Sequence, residues 1–252
     1  MRLTILGCGT SGGVPRIGND WGDCDPNEPR NRRRRASVAV ETGQTRVIVD
    51  TSPDFRDQCL DAGIDRLDGV IFTHDHADHC HGIDDLRFIA YAMRRRIDVY
   101  SDQGTLDRLR RRFGYCFETP EGSLYPPIVR AHAVDGPFSI GDLEVIPFKQ
   151  NHGDMDTLGL RFGPIAYSTD VVALDEAAFA TLDGVRVWVV DALRHEYHPT
   201  HANLETTLKW IERVKPQRAV LTHMNFELDY QTLRNELPAG IEPAYDGMVI
   251  DV

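Results

Sequence analysis

The residues best equipped for chemistry lie in one stretch, Thr73-His74-Asp75-His76-Ala77-Asp78-His79, directly after the apolar run Val70-Ile71-Phe72. A short apolar run that ends in a polar cluster reads as a buried strand opening into a loop. Two histidines two apart in an extended segment point the same way, so His74 and His76 can meet one metal ion. Asp78 and His79 lie just beyond and are better placed for a second ion. Imidazole nitrogens together with carboxylate oxygens suit zinc, manganese or ferrous iron. A polar surface loop seldom gathers three histidines and two aspartates in six positions, so a metal centre is the stronger reading.

H-x-H-x-D-H after a strand resembles the signature of the metallo-β-lactamase superfamily. The resemblance implies an α/β (αββα) fold, a four-layer sandwich of two mixed β-sheets flanked by helices, with two metals at one edge. It also implies further ligands at strand ends downstream. His152, Asp170 and His223 each follow an apolar run, within Phe148-Lys149-Gln150-Asn151-His152, Ala166-Tyr167-Ser168-Thr169-Asp170 and Ala219-Val220-Leu221-Thr222-His223. By the resemblance, His74, His76 and His152 hold the first ion, Asp78, His79 and His223 the second, and Asp170 bridges them. The expected cofactor is therefore two divalent ions per chain, Zn2+ or Mn2+. Three protein ligands per ion leave open positions, as catalytic metal requires. Drug-hydrolysing members typically place a cysteine where Asp170 falls, so a carboxylate there favours phosphodiesterase and thioesterase types over a β-lactamase.

Substrate signals are local. Pro199-Thr200-His201-Ala202-Asn203 leads into a helix, which puts His201 near a positive helix end where anions are favoured. In phosphodiesterase members a histidine here faces the metals and acts on the departing oxygen. The alternative is a solvated loop histidine, the reading given to His81, His132, His195 and His198. The Arg32–Arg35 run offers Arg33, Arg34 and Arg35 as phosphate contacts, or equally a solvated strand edge that resists aggregation. Asp50 and Asp246 are candidates to fix the tautomers of ligand histidines. Glycines between Gly7 and Gly13 would let backbone approach the site closely.

With Cys8–Gly13, Thr200–Leu204 and Ala244–Met248, these features resemble the branch containing the cyclic phosphodiesterase of bacterial phosphonate breakdown. That enzyme carries a structural zinc, held by closely spaced cysteines after the first strand and by a distant histidine. Here only Cys24 remains in that loop and Phe226 stands where the histidine would fall, so no structural zinc site is expected.

The expected function is a binuclear metal-dependent hydrolase acting on a small cyclic or nucleotide-like phosphodiester. Two ions would lower the pKa of a shared water, Asp78 or Asp170 would orient the hydroxide, and His201 would protonate the leaving oxygen. The alternatives are an RNA-processing nuclease resembling the tRNA 3′-end ribonuclease, a thioester or lactone hydrolase, and a metal-binding scaffold without catalysis. For the nuclease, Arg94–Arg96 and Arg108–Arg112 would supply the basic surface. A formal net charge of -11 argues against wholesale binding to nucleic acid or anionic membrane.

The elements that must position these residues are legible in outline. Ser37–Val40 and Arg46–Val49 read as a hairpin around Thr42-Gly43. Ser52 reads as the cap of a helix with Pro53 at its first position, running to Ala62 before Gly63. Gly82–Met93, Gln103–Phe113, Leu174–Thr181, Leu204–Val214 (capped by Asn203) and Asp229–Glu236 read as helices. Strands are expected at Leu3–Leu6, Asp98–Tyr100, Ile128–Val134, Leu143–Phe148, Thr157–Phe162, Ile165–Ser168, Val187–Val190, Gln217–Leu221 and Met248–Asp251. At 252 residues, with no linker-like segment, residues 1–252 read as a single domain. Five scattered cysteines read as reduced thiols in a cytoplasmic protein, and no window is apolar enough to span a membrane. A homodimer is expected only by analogy with the family.

Overall fold

Apolar runs of the sequence become the strands of two seven-stranded sheets. In the computed structural model, which describes residues 1–252, the first sheet contains β1 (Arg2–Gly7), β2 (Ser37–Glu41), β3 (Arg46–Val49), β4 (Gly69–Ile71), β5 (Ile97–Ser101), β6 (Val129–Ala133) and β14 (Val249–Asp251). Its order is β14-β1-β2-β3-β4-β5-β6. The second sheet contains β7 (Phe138–Ile140), β8 (Leu143–Asn151), β9 (Asp156–Phe162), β10 (Ile165–Ser168), β11 (Val187–Asp191), β12 (Arg218–Thr222) and β13 (Ile241–Pro243). Its order is β13-β12-β11-β10-β9-β8-β7.

Strand periodicity decides which core each side chain joins. Leu3 and Ile5 of β1, Val38 and Val40 of β2, and Val47 and Val49 of β3 join the larger core between the sheets. Leu6, Ala39, Ile48 and Val70 turn the other way, into a core under α1 (Phe55–Ala62), α3 (Leu86–Met93) and α4 (Gln103–Phe117). The second sheet is covered by α5 (Glu176–Leu182), α6 (Leu204–Val214) and α7 (Tyr230–Glu236) through Ala178, Leu182, Ile211 and Leu233. Burial on both faces explains why Val187-Trp188-Val189-Val190 does not alternate with polar residues. Helix, sheet, sheet and helix make the four layers of a metallo-β-lactamase sandwich.

Strands β3 to β6 run parallel, as do β10 to β13. In open α/β sheets ligands collect beyond the carboxyl ends of such strands. Asp50, His74, Asp170, Asp191 and His223 all stand at or just past those ends in β3, β4, β10, β11 and β12.

Several boundaries differ from the sequence expectation. Ser52 does not cap α1. Its Oγ accepts from the Asp54 N–H within a turn, and α1 begins at Phe55 before ending at left-handed Gly63. The segment expected as one helix from Gly82 opens with a 3-10 turn at Ile83–Asp85 before α3. The short strands β7 and β13, and the single helical turn α2 (Ala77–Cys80), carry too few residues for a period to show. Asn203 caps α6 as expected, its Oδ1 accepting from the Thr206 N–H at 3.0 Å. No helix is long and apolar enough to cross a membrane.

Asp246, between β13 and β14, ties distant segments together. Its carboxylate accepts from the backbone N–H groups of Cys8 at 3.1 Å and Arg34 at 2.8 Å. Burial outweighs those bonds and pushes its carboxyl up to about 7. From an ordinary value of about 4 up to about 7, the folded chain holds a proton that the unfolded chain has released. This group therefore makes stability fall as pH rises through that window. Asp246→Asn is expected to remove the slope, so that wild type minus variant unfolding free energy falls between pH 4 and 7 in urea titrations at fixed metal content. A pH-independent difference would show that Asp246 is ionised throughout.

Candidate metal centre

Strand ends deliver the site by unusual backbone. Asp50, Asp170 and His223 have φ of 64°, 53° and 56°, a left-handed region that residues with a Cβ seldom occupy. Such strain persists only where surrounding structure enforces it, and it concentrates at functional sites. Asp78 and His79 ride on α2, held against His76 by a bond from the His79 N–H to the His76 carbonyl.

Two four-residue clusters result, and they share Asp170. His74, His76, His152 and Asp170 place one potential ligand atom each within 4.8 Å of one another, and so do Asp78, His79, Asp170 and His223. Asp170 Oδ1 lies 3.8 Å from Nε2 of both His74 and His152. Asp170 Oδ2 lies 3.0 Å from His79 Nε2 and 3.5 Å from His223 Nε2. His76 turns Nδ1 toward His152 Nε2 at 3.4 Å.

Hydrogen bonds behind the imidazoles fix their tautomers. The Thr200 carbonyl can only accept, so His152 carries its proton on Nδ1, donating at 2.7 Å. His79 Nδ1 donates to Asp50 Oδ2 at 2.7 Å. Thr73 Oγ1 spends its proton on Asp50 Oδ2 at 2.8 Å, so it accepts from His74 Nδ1 at 2.9 Å. In each ring the Nε2 lone pair is left facing the cluster, the arrangement a metal ligand needs. Nε2 of His74, His79 and His223 is buried without any hydrogen bond. Buried polar atoms without partners are rare, and a cation at the centre of each cluster would satisfy these. The donor set fits divalent metal.

The carboxylates and imidazoles of the clusters shift one another strongly. Burial would raise Asp170, but the His223 and His79 imidazoles hold its carboxyl well below the usual range. Burial would lower His223, but the Asp170 and Asp78 carboxylates lift it to about 9. Burial and the neighbouring His79 push His74 well down, favouring its neutral form.

His201 faces the same carboxylate from the second sheet, with Nε2 3.8 Å from Asp170 Oδ1. Its Nδ1 donates to Asp191 Oδ2 at 2.8 Å. The ring stacks on His223 at 4.8 Å between centroids and lies 4.6 Å from that of His152. His198, read from sequence as a solvated loop residue, packs 5.2 Å from His201. His132 instead pairs with Asp98 and His81 meets Phe113 edge to face, both away from the clusters.

Within the arginine run, Arg33 does something other than the sequence suggests. Extended backbone from Arg32 to Arg35 turns alternate side chains to opposite sides. Arg33 is 1% exposed and donates to the carbonyls of Asn225 at 3.0 Å and Leu228 at 2.6 Å. It is neither a phosphate contact nor a solvated edge. Arg34 pairs with Asp61 and Arg35 with Asp54, and neither bonds to the clusters. Asp246 bonds to backbone of Cys8 and Arg34 rather than to a ligand histidine. Glycine is required in the 7–13 loop for packing against the arginines: a Cβ on Gly9 would stand 2.9 Å from the Cβ of Arg33.

Two residues that sequence reasoning missed complete the centre. Asp191 is fully buried and bonds both His201 and the Val171 N–H. Its signal was an apolar strand ending in aspartate, Val187-Trp188-Val189-Val190-Asp191, the same pattern that marks Asp50. Asp75, inside the motif, is buried and gripped by Arg108 and Arg112 of α4. Cys80 packs beneath the loop, its thiol against the Asp75 carbonyl.

Residues 45–224 match the beta-lactamase superfamily domain. The crystal structure of a diphosphatase from the PhnP family superposes with a TM-score of 0.92 at 36% identity, covering 99% of this chain and 97% of that one. An octanoyltransferase of Porphyromonas gingivalis is 36% identical over 255 residues, 98% of this chain; the chain spans 51% of that relative's length. Human tRNase Z, short form, shares the fold with a TM-score of 0.70 at 18% identity, covering 100% of this chain and 99% of that one. On the matched domain, the two mixed sheets and the full-length likeness to a PhnP-family structure, this chain belongs to the metallo-β-lactamase superfamily.

Proposed function

We propose that residues 1–252 form one binuclear metal-dependent hydrolase unit, a phosphodiesterase for a small cyclic or nucleotide-like phosphodiester. In this reading His74, His76 and His152 hold one divalent ion, Asp78, His79 and His223 the other, and Asp170 bridges them. Zinc or manganese suits those donors. The observation that carries the reading is the pair of clusters sharing Asp170, faced by a histidine that is itself held by Asp191.

Divalent ions bound there would neutralise phosphate charge and acidify a coordinated water. The chain's own residues supply the rest. Asp50 and the Thr200 carbonyl keep the Nδ1 protons of His79 and His152, so those rings cannot turn away from the cluster. Asp78, at the edge of the second cluster, is available to orient a water. Asp191 holds the Nδ1 proton of His201, which leaves Nε2 as the atom that passes a proton to the departing oxygen. The His201 side chain is 11% exposed, open enough to meet a substrate and shielded enough to keep its orientation. Likeness to a PhnP-family diphosphatase supports cleavage at phosphorus and adds a diphosphate bond to the substrates to be tested.

Zinc- or manganese-loaded protein is expected to hydrolyse bis-p-nitrophenyl phosphate and a ribose cyclic phosphate faster than S-lactoylglutathione. A preference for the thioester would overturn the phosphodiesterase reading. Asp170→Ala is expected to lose bound metal and turnover together; elemental analysis showing two retained ions would remove its bridging role. His201→Ala should keep both ions and lose rate by about 10²–10⁴-fold, the range for a lost general acid. Loss of an ion in that variant would instead make His201 a ligand. Asp191→Asn should also lower kcat with both ions in place.

A further inference from the structure

A sizeable cavity lies apart from the metal centre. This half-open cleft of about 650 Å³ lies against the first sheet at β14, β1 and β2, beside the end of α1. A volume of that size is ordinary for a small-molecule site. Its walls include five arginines, Arg2, Arg30, Arg32, Arg34 and Arg46, against three carboxylates, Glu41, Asp61 and Asp246. In a chain of net charge -11 this concentrates positive charge in one place.

Three of the arginines already have acidic partners, but two of those partnerships are weak. Arg2 pairs with Asp251 and Arg34 with Asp61, whose side chains are 65% and 67% exposed. Exposed pairs of this kind contribute little and exchange readily for a better anion. Arg30 and Arg32 have no acidic partner; each guanidinium packs near aromatic faces, Arg30 by Tyr230 and Tyr245, Arg32 by Trp21. Backbone alternation brings Arg32 and Arg34 to the cavity while Arg33 turns inward and Arg35 pairs with Asp54. Several planar guanidiniums lining one cavity suit the multiple acceptor oxygens of a phosphate. Asp246, buried in the wall with its carboxyl raised to about 7, contributes less than a full negative charge near neutral pH.

We propose that this cavity binds a small phosphate-bearing molecule through Arg30, Arg32 and Arg34, at a site separate from the metal centre. The assignment does not depend on the phosphodiesterase reading.

The test uses AMP as probe on the metal-loaded chain, by calorimetric titration and by crystallography of crystals grown with AMP. Wild type is expected to bind AMP in the cavity, with the phosphate density between Arg30, Arg32 and Arg34. The Arg30→Ala/Arg32→Ala double variant should bind that equivalent about tenfold or more weakly, as expected for lost charge-assisted bonds. Its metal content and bis-p-nitrophenyl phosphate turnover should match wild type. AMP found only at the metal clusters, or affinity unchanged in the double variant, would overturn the proposal. A parallel fall in turnover would place these arginines at the metal centre and overturn it too. Should the double variant fail to fold, the position of AMP in the wild-type crystal decides alone.

Discussion

Everything in this molecule turns on one buried carboxylate. Asp170 is 2% exposed and meets five imidazoles at 3.0 to 3.8 Å, those of His74, His152 and His201 on Oδ1 and those of His79 and His223 on Oδ2. An isolated carboxylate at that depth would give up its charge. It keeps its charge here because those rings surround it, and they in turn keep their orientation because other groups hold them. The first sheet supplies His74, His76, Asp78 and His79, and the second supplies His152, Asp170, His201 and His223. Neither sheet carries a complete cluster. Packing of the larger core is therefore also the event that assembles the site.

Each half of the fold backs a histidine with an aspartate at the end of a parallel strand. Asp50 ends β3 and orients His79; Asp191 ends β11 and orients His201. Asp50 also reaches His74 through the Thr73 hydroxyl, so one buried acid sets two rings in different clusters. Such a network is rigid only when each member is satisfied. The orphaned Nε2 atoms are its open end, and they all face inward.

Most of the fold could be read from periodicity, because strands buried on both faces and amphipathic helices leave long signals. The short elements β7, β13 and α2 could not, since three or four residues show no period. Histidines at strand ends were visible as residue types in unusual places, and the structure brings all of them together. Asp191 is hard to see in the sequence because the apolar run that marks its strand stops at Val190. Arg33 escapes a sequence reading for a different reason. Consecutive positively charged residues look alike in sequence, but extended backbone sends neighbours to opposite sides, and Arg33 meets two backbone carbonyls that no local pattern announces. Long-range partners such as Asp246 with Cys8 lie beyond any window-based reading.

The grip of Arg108 and Arg112 on Asp75 makes the segment between His74 and His76 part of the helical layer rather than a free connection. Arg112 also donates to the Asp75 carbonyl, so backbone and side chain are held together. The conformational entropy of that segment is surrendered when α4 docks. Little of it remains to be lost when an ion or substrate binds, so that much of the affinity is already prepared in the fold.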